Sequence, residues 1–93
     1  MPYITQDKRR PLDEHLIEMA EIIRDSHTKD GDRNGQMNYS VSQLINLVYG
    51  PNWRYASIND VVGMISCVHD EFYAKVALPY EKIKEEENGT VYG

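Results

Sequence analysis

The residues best suited to chemistry form a short polar run, spaced like the first half of an EF-hand calcium-binding loop. Asp30, Asp32 and Asn34 occupy alternate positions and Gly35 follows them. In an EF-hand loop, side-chain oxygens at positions 1, 3 and 5 bind Ca²⁺ and a glycine at position 6 makes the turn. Position 7 gives its backbone carbonyl, and Gln36 stands there. The spacing is therefore compatible with a weak calcium site.

The second half of this run departs from the calcium-binding pattern. Position 12 is Val41, where a bidentate glutamate is required. The chain also has no second loop of this kind. Asp and Gly are equally typical of turns. We therefore favour a polar loop over residues 27–37 and keep calcium binding as an alternative.

The other candidate ligands and nucleophiles are scattered. A zinc site needs three or four ligands brought together, and the spacing of His15, His27 and His69 offers no such set. Cys67 lies among apolar residues, which predicts a buried, unreactive thiol. Adjacent carboxylates on a helix point in different directions. We therefore predict a protein that is not an enzyme and has no cofactor.

Length and charge restrict the class of protein. Ninety-three residues predict a single domain over residues 1–93. Fifteen acidic against ten basic residues give a net charge of −5, which argues against nucleic acid as a partner. The start resembles no signal peptide, and no apolar run is long enough to span a membrane. With one cysteine, these features predict a cytoplasmic protein that has no membrane partner.

Apolar residues at helical spacing predict an all-α fold with three main helices. The first helix is expected from about Pro11 to Ser26, because proline suits a first helical position. The second is expected to start near Asn38 or at Ser40, where Ser40 and Gln43 read as a capping box. Gly50-Pro51 is expected to end it.

The third helix is predicted to open with a capping box of Ser57 and Asp60. Its residues 58–76 are apolar on most sides, so we expect it to be central and to require a second chain. This pattern predicts a homo-oligomer. Gly63 is expected to mark a close helix crossing.

Proline and glycine shape the end of the chain. Pro79 is expected to kink or restart the helix, leaving a short C-terminal helix. Asn88-Gly89 is the expected C-cap. Residues 1–6 are predicted to form an N-terminal arm and residues 88–93 a tail.

Aromatic residues are frequent in the chain, which has seven tyrosines. Trp53, Arg54 and Tyr55 follow one another in the turn after the second predicted helix. Tyrosine and tryptophan combine a rigid apolar ring with a polar group and are enriched at interfaces. These three residues are our candidate surface for a partner or ligand.

A set of short sequence pieces spans nearly the whole chain: Met1 to Ile4, Asn38-Tyr39, Tyr55-Ala56, Asn59, Val62-Gly63, Glu71-Phe72-Tyr73, Pro79-Tyr80-Glu81, Lys84, Glu87 to Gly89 and Val91-Tyr92. Together these pieces resemble a family of short uncharacterised proteins of bacteriophages and prophages. The chain departs from the family's pattern in two places. The segment before Asn38 is longer than in the family, and Ala74-Lys75 replaces a more basic pair. The resemblance implies a viral origin and no site residues.

Three functions are compatible with these features. The leading hypothesis is a non-catalytic phage-type interaction protein that binds and inhibits a host protein in the host cytoplasm. An alternative is a protein that sequesters a nucleotide signal, with stacking tyrosines and with Arg54, Arg24 or Lys75 on the phosphates. The other alternative is a weak calcium-binding module of the EF-hand type.

Overall fold

The regular structure of this chain is helical throughout the residues that can be described. The computed structural model describes residues 3–26 and 30–92, without the side chains of residues 30 and 31. Its elements are α1 (Gln6–Asp25), α2 (Asp30–Tyr49), α3 (Tyr55–Phe72), a π-helical segment (Tyr73–Ala77) and α4 (Leu78–Asn88). This confirms the predicted all-α fold with three main helices and a short C-terminal one.

Helix α1 begins at Gln6, so the predicted start at Pro11 is wrong. Thr5 precedes the helix in an extended conformation, and its carbonyl accepts a hydrogen bond of 3.0 Å from the N–H of Lys8. Pro11 therefore lies inside the helix, where it has no N–H to donate to the carbonyl of Asp7. The acidic first turn contributed by Asp7 favours this earlier start.

An arginine holds the segment before α1 against the helix. Arg9 Nε donates a hydrogen bond of 2.9 Å to the carbonyl of Ile4. The guanidinium carbon of Arg9 lies 5.8 Å from the centre of the Tyr3 ring, a cation–π distance. The predicted N-terminal arm is therefore short: its residues 1 and 2 lie outside the described ranges, and Gln6 is already helical.

Helix α2 begins at Asp30, so the prediction of a polar loop is wrong for residues 30–37. Residues 27–29 of that loop lie outside the described ranges. Two side chains of the first turns of α2 contact the end of α1. Arg33 Nη2 donates to the carbonyl of Arg24 over 3.2 Å, and the Ser26 hydroxyl donates to Gln36 Oε1 over 3.2 Å. The first bond satisfies a carbonyl of the last turn of α1.

Two predicted capping boxes do not start a helix. Ser40 lies in the middle of α2, because that helix begins ten residues earlier, at Asp30. Ser57 lies two residues inside α3, which begins at Tyr55. Capping boxes are local signals, and the backbone of both helices continues past them toward the N-terminus.

Glycine and proline end α2 as predicted. The last residue of α2 is Tyr49, and the N–H of Gly50 donates to the carbonyl of Asn46 over 2.9 Å. A Cβ added at Gly50 would lie 2.8 Å from that same carbonyl oxygen, so this position requires glycine. The Gly50-Pro51 peptide bond is cis.

The chain divides into one part over residues 3–54 and another over residues 55–92, which are described in turn. In the first part, α1 and α2 pack against each other. In the second part, α3, the π segment and α4 run without interruption from Tyr55 to Asn88. At 1.5 Å per residue that helix is about 50 Å long. The single domain and the central position of α3 stay predictions.

The α-helical pattern is interrupted before Pro79 and starts again as α4 at Leu78, so Pro79 lies in the first turn of the predicted C-terminal helix. Pro79 has no N–H for the carbonyl of Lys75, and its ring would clash with that carbonyl in a regular α-helix. The preceding turn is widened instead, and the N–H of Leu78 donates to the carbonyl of Tyr73, five residues earlier. At the other end, the predicted C-cap is confirmed: Gly89 has φ 83° and its N–H bonds the carbonyl of Glu85.

The hydrophobic core of the described residues is very small. Val61 is 9% exposed and is the one buried hydrophobic side chain in those ranges. Most other large apolar side chains are exposed. Cys67 is exposed as well, so the prediction of a buried thiol is wrong. The helices thus present apolar faces that their own chain leaves largely uncovered.

Candidate interaction surfaces

An apolar groove lies between the two helices of residues 3–54. Its volume is about 400 Å³. The lining side chains are mostly aliphatic, with two polar members in α2. They are Leu16, Met19, Ala20 and Ile23 of α1 and Met37, Tyr39, Ser40, Val41, Gln43, Leu44 and Leu47 of α2.

Helical periodicity places these residues along the groove. Leu16, Ala20 and Ile23 are separated by four and three residues, which puts them on one face of α1. Leu44 and Leu47 are three residues apart on α2 and are 58% and 69% exposed. The side chains of the chain itself therefore line the groove without filling it.

A second apolar surface follows the long helix of residues 55–88. We call it the apolar stripe, and it consists of Ile58, Val61, Ile65, Val68, Phe72, Val76, Tyr80 and Ile83. Val61 is covered, whereas the other seven side chains are between 45% and 62% exposed. Successive members are three or four residues apart, which is the spacing of a helix seam that packs against another helix.

One extra residue interrupts the heptad spacing of the apolar stripe. From Ile58 to Phe72 the steps alternate three and four, but the step from Phe72 to Val76 is four where three is expected. In an uninterrupted α-helix, one inserted residue would rotate the rest of the stripe by about 100° relative to a heptad seam. The inserted residue falls within the π segment, which takes more residues per turn. The π segment therefore keeps the stripe on one seam.

Tyr73, the first residue of the π segment, has polar and aromatic contacts on both sides. Its hydroxyl donates to Glu81 Oε2 over 3.2 Å. That hydrogen bond, together with the negative charge of Glu81, raises the pKa of the Tyr73 phenol above its ordinary value. The Tyr73 ring stacks on the ring of His69, with centroids 6.1 Å apart.

Helix α4 carries a charged surface beside the end of the apolar stripe. Lys84 Nζ lies 3.2 Å from Glu87 Oε2 and 5.7 Å from the centre of the Tyr80 ring. The Lys84 and Glu87 side chains are about half exposed, so this ion pair contributes at most about 1 kcal/mol. Glu85, Glu86 and Glu87 together make the C-terminal end of α4 acidic.

The candidate surface of Trp53, Arg54 and Tyr55 is divided between the two parts of the chain. Trp53 and Arg54 end the first part, and Trp53 is 44% exposed. Tyr55 is the first residue of α3 in the second part and is 82% exposed. Both rings are thus accessible, as a binding role requires. Their joint role as a partner surface stays a prediction.

The residues of the calcium hypothesis lie on a helix. The backbone from Asp30 onward is helical, and positions two apart on a helix point to nearly opposite sides. Asp32 and Asn34 therefore do not converge as they would in an EF-hand loop, and Gln36 bonds Ser26. The side chain of Asp30 lies outside the description. Within the described residues, no group of three or more His, Cys, Asp or Glu is arranged to hold a metal ion.

The interpretation of the sequence missed the groove and the contact of Tyr73 with Glu81. The signal for the groove was present, since Leu16, Ala20 and Ile23 recur at helical spacing within the predicted first helix. The α2 side of the groove was harder to predict, because Met37 was assigned to the polar loop of residues 27–37. The Tyr73–Glu81 contact starts from the first residue of the π segment, and no pattern in the sequence predicted that segment.

Comparisons with known proteins give a family and no activity. A family model described as a domain of unknown function, DUF6899, matches residues 1–91. Comparison with curated proteins and with solved structures gives no match. Across residues 3–26 and 30–92, no helix has the length and apolar character that crossing a membrane requires.

Proposed function

Since the chain belongs to the DUF6899 family, a domain of unknown function, we propose its role from its structure: a non-catalytic interaction protein whose helices act by packing against other protein chains. The observation that carries this proposal is the exposure of apolar side chains on every main helix. Among the described residues Val61 alone is a buried hydrophobic. A helix with so much uncovered apolar surface is normally completed by another chain.

The groove between α1 and α2 suits an amphipathic helix of a partner protein. It is bordered by two helices and lined at helical spacing, so a third helix laid in it would complete a three-helix layer. Leu16 and Leu44, each more than half exposed, would then be covered from the open side. The polar side chains of Ser40 and Gln43 add hydrogen-bonding groups at this surface.

The apolar stripe of the long helix suits a second copy of the chain. This part of the proposal is the homo-oligomer predicted from the sequence. Seven of its eight members are at least 45% exposed, and together they extend from Ile58 to Ile83. Covering them removes apolar area from water, which is the main favourable term in protein association.

The target proposed for the groove is a host protein that this chain inhibits, and a phage origin belongs to the same proposal. Its support is the resemblance of short sequence pieces such as Glu71-Phe72-Tyr73 and Pro79-Tyr80-Glu81 to phage proteins. An acidic chain with net charge −5 favours a target whose surface is basic around its apolar helix.

A second candidate function is the binding of a nucleotide signal. The observation that favours it is that Trp53 and Tyr55, which flank the cationic Arg54 in the sequence, each have an exposed ring. Exposed aromatic rings stack on nucleobases, and a guanidinium pairs with phosphate. A thermal-shift measurement with a panel of cyclic nucleotides tests it, with Tyr55→Ala as the variant that abolishes the shift. The calcium alternative is tested by calorimetry with Ca²⁺ and Asp32→Ala.

Native mass spectrometry tests the main proposal, because it reports assembly and bound molecules together. We expect wild-type masses at multiples of the 10.8 kDa chain. Val68→Asp places a charge on the stripe and should give single chains, whereas Ser66→Asp adds the same charge at an exposed serine and should assemble. Wild-type signal from the single chain alone, without bound molecules, would contradict the proposal.

A further inference from the structure

We propose that a second copy of this chain covers the apolar stripe in an antiparallel arrangement, with the two Phe72 side chains meeting at the two-fold axis. This inference rests on the proposed function and specifies the geometry of its self-association. Four features carry it: the symmetric spacing of the stripe, the π segment, the charges at the ends of the helix, and the size of the surface.

The spacing of the stripe is nearly the same in both directions from Phe72. Val68 and Val76 are each four residues away, and Ile65 and Tyr80 are seven and eight residues away. A two-fold axis perpendicular to the helices places residues before Phe72 opposite residues after it in the second copy. Val68 therefore faces Val76 of the second copy, and Ile65 faces its Tyr80.

The π segment produces this symmetry. In regular heptads the neighbours of a core residue are four residues away on one side and three on the other. The next core residue after Phe72 would then be Lys75, a charged residue. The extra residue within Tyr73–Ala77 makes the step four on both sides and brings Val76 to the seam.

The first turns of α3 and the end of the stripe also correspond. Ile83 follows Phe72 by eleven residues, and Val61 precedes Phe72 by eleven, so Ile83 of one copy lies opposite Val61 of the other. Val61 is already covered, and the apolar area that Ile83 meets there comes from its neighbour Val62 at the edge of the stripe, which is 59% exposed.

Charge favours the antiparallel over the parallel arrangement. The acidic run of Glu85, Glu86 and Glu87 ends the long helix, and Arg54 directly precedes its first residue. An antiparallel pair places each acidic run next to the positive N-terminal end of the other α3. A parallel pair would set the two acidic runs side by side, which is repulsive.

The size of the stripe fits an interface between two helices. From Ile58 to Ile83 the stripe extends about 37 Å at 1.5 Å per residue, and a helix is about 10 Å wide. Two such faces of roughly 400 Å² each bury about 800 Å² in all, which is the size of a weak, reversible pair. A second copy is the fitting occupant, because its own stripe has the same length and spacing.

Directed disulfide formation tests the arrangement. All chains carry Cys67→Ala; one then carries Val68→Cys and another, which is distinguishable by mass, carries Val76→Cys. After mixing and mild oxidation we expect disulfides between the two kinds of chain and few within each kind. Disulfides that join only identical chains would show a parallel pair and overturn the inference.

The same samples separate this inference from the proposed function. If the wild-type protein assembles but neither kind of disulfide forms, another surface carries the assembly and only the inference fails. If native mass spectrometry shows the wild-type protein as single chains, the proposed self-assembly fails as well.

Deleting one residue tests the role of the π segment. Deletion of Ala74 removes the inserted residue and should weaken dimerisation by about tenfold or more, or 1.4 kcal/mol. Deletion of Thr90, beyond the end of α4, shortens the chain by one residue without moving the stripe or the acidic run and should leave the affinity within about threefold of wild type. Circular dichroism checks that both variants remain helical. Dimerisation of the Ala74 deletion at wild-type affinity would overturn the inference.

Discussion

The hydroxyl of Tyr73 donates a hydrogen bond of 3.2 Å to Glu81 Oε2 and thereby joins the first residue of the π segment to α4. The bond extends over the turn in which Pro79 cannot donate a backbone hydrogen bond. It therefore supports the helix where its backbone hydrogen bonding is weakest. It also supports the register of Val76 and Tyr80 on the apolar stripe.

Replacing Glu81 should change the titration of Tyr73. The hydrogen bond and the charge of Glu81 raise the pKa of Tyr73, so Glu81→Gln should lower that pKa toward the ordinary value. The pKa of Tyr73 is higher in the folded than in the unfolded chain. The hydrogen bond therefore stabilises the fold fully below about pH 10, and this stabilisation is lost as the pH rises through the folded-state pKa. Tyrosinate absorbance, taken as the difference from Tyr73→Phe, measures the pKa. Glu85→Gln is the matched control, and an equal shift in that variant would refute the assignment.

Thr5 should control the ionisation of Asp7. A hydrogen bond with the Thr5 side chain lowers the pKa of the Asp7 carboxyl. The associated stabilisation is present above about pH 4 and is lost as the pH falls through the lowered pKa. Thr5→Val should raise the pKa of Asp7 toward its ordinary value, and Thr5→Ser should keep it low. Carboxyl carbon NMR titration measures it, and equal pKa values in both variants would contradict the contact.

Two glycines should respond in opposite directions to alanine. A Cβ at Gly50 meets the carbonyl oxygen of Asn46 at 2.8 Å, so Gly50→Ala should destabilise the fold by about 1–3 kcal/mol. A Cβ at Gly63 meets no atom within 4 Å, so Gly63→Ala should stabilise the fold by about 0.5–1 kcal/mol. Urea denaturation measures both. A loss of stability in Gly63→Ala would contradict the open space at Gly63 and would support the close helix crossing expected from the sequence.

The groove between α1 and α2 should bind an amphipathic helix. We expect a synthetic leucine–lysine helical peptide to bind the wild-type protein, and Leu44→Asp to weaken that binding by at least about tenfold. Ser42→Asp adds the same charge on α2 outside the groove lining and should bind like wild type. Fluorescence anisotropy of the labelled peptide reports the affinity. Equal binding by the two variants would show that the peptide does not use the groove.

Local sequence signals predicted the ends of helices better than their beginnings. Gly50-Pro51 and Asn88-Gly89 end α2 and α4 as predicted: the Gly50 N–H closes the last turn of α2, and Gly89 takes the positive φ of a C-cap. Pro11 was a misleading start signal, because it lies five residues after Gln6 and removes one backbone hydrogen bond near the N-terminus of α1, to the carbonyl of Asp7.

The candidate surfaces were only partly predictable from sequence. The apolar character of the third helix on most sides predicted a central helix that a second chain covers; Ile65 and Phe72 are exposed within the described residues, and the second chain stays a prediction. The spacing of Asp32 and Asn34 suggested a loop, which is wrong from Asp30 onward. Arg33 and Gln36 contact the end of α1, and these contacts, which spacing alone does not reveal, favour the helix. The π segment directly precedes the turn that contains Pro79, and the periodicity of the apolar residues alone does not show it.

The melting temperature as a function of protein concentration tests most directly whether other chains cover the apolar faces. Since folding is then linked to association, the melting temperature of the wild-type protein should rise with concentration. Val68→Asp should remove that dependence by placing a charge on the apolar stripe. A wild-type protein that melts cooperatively at the same temperature over a hundredfold range of about 1–100 μM would contradict the account.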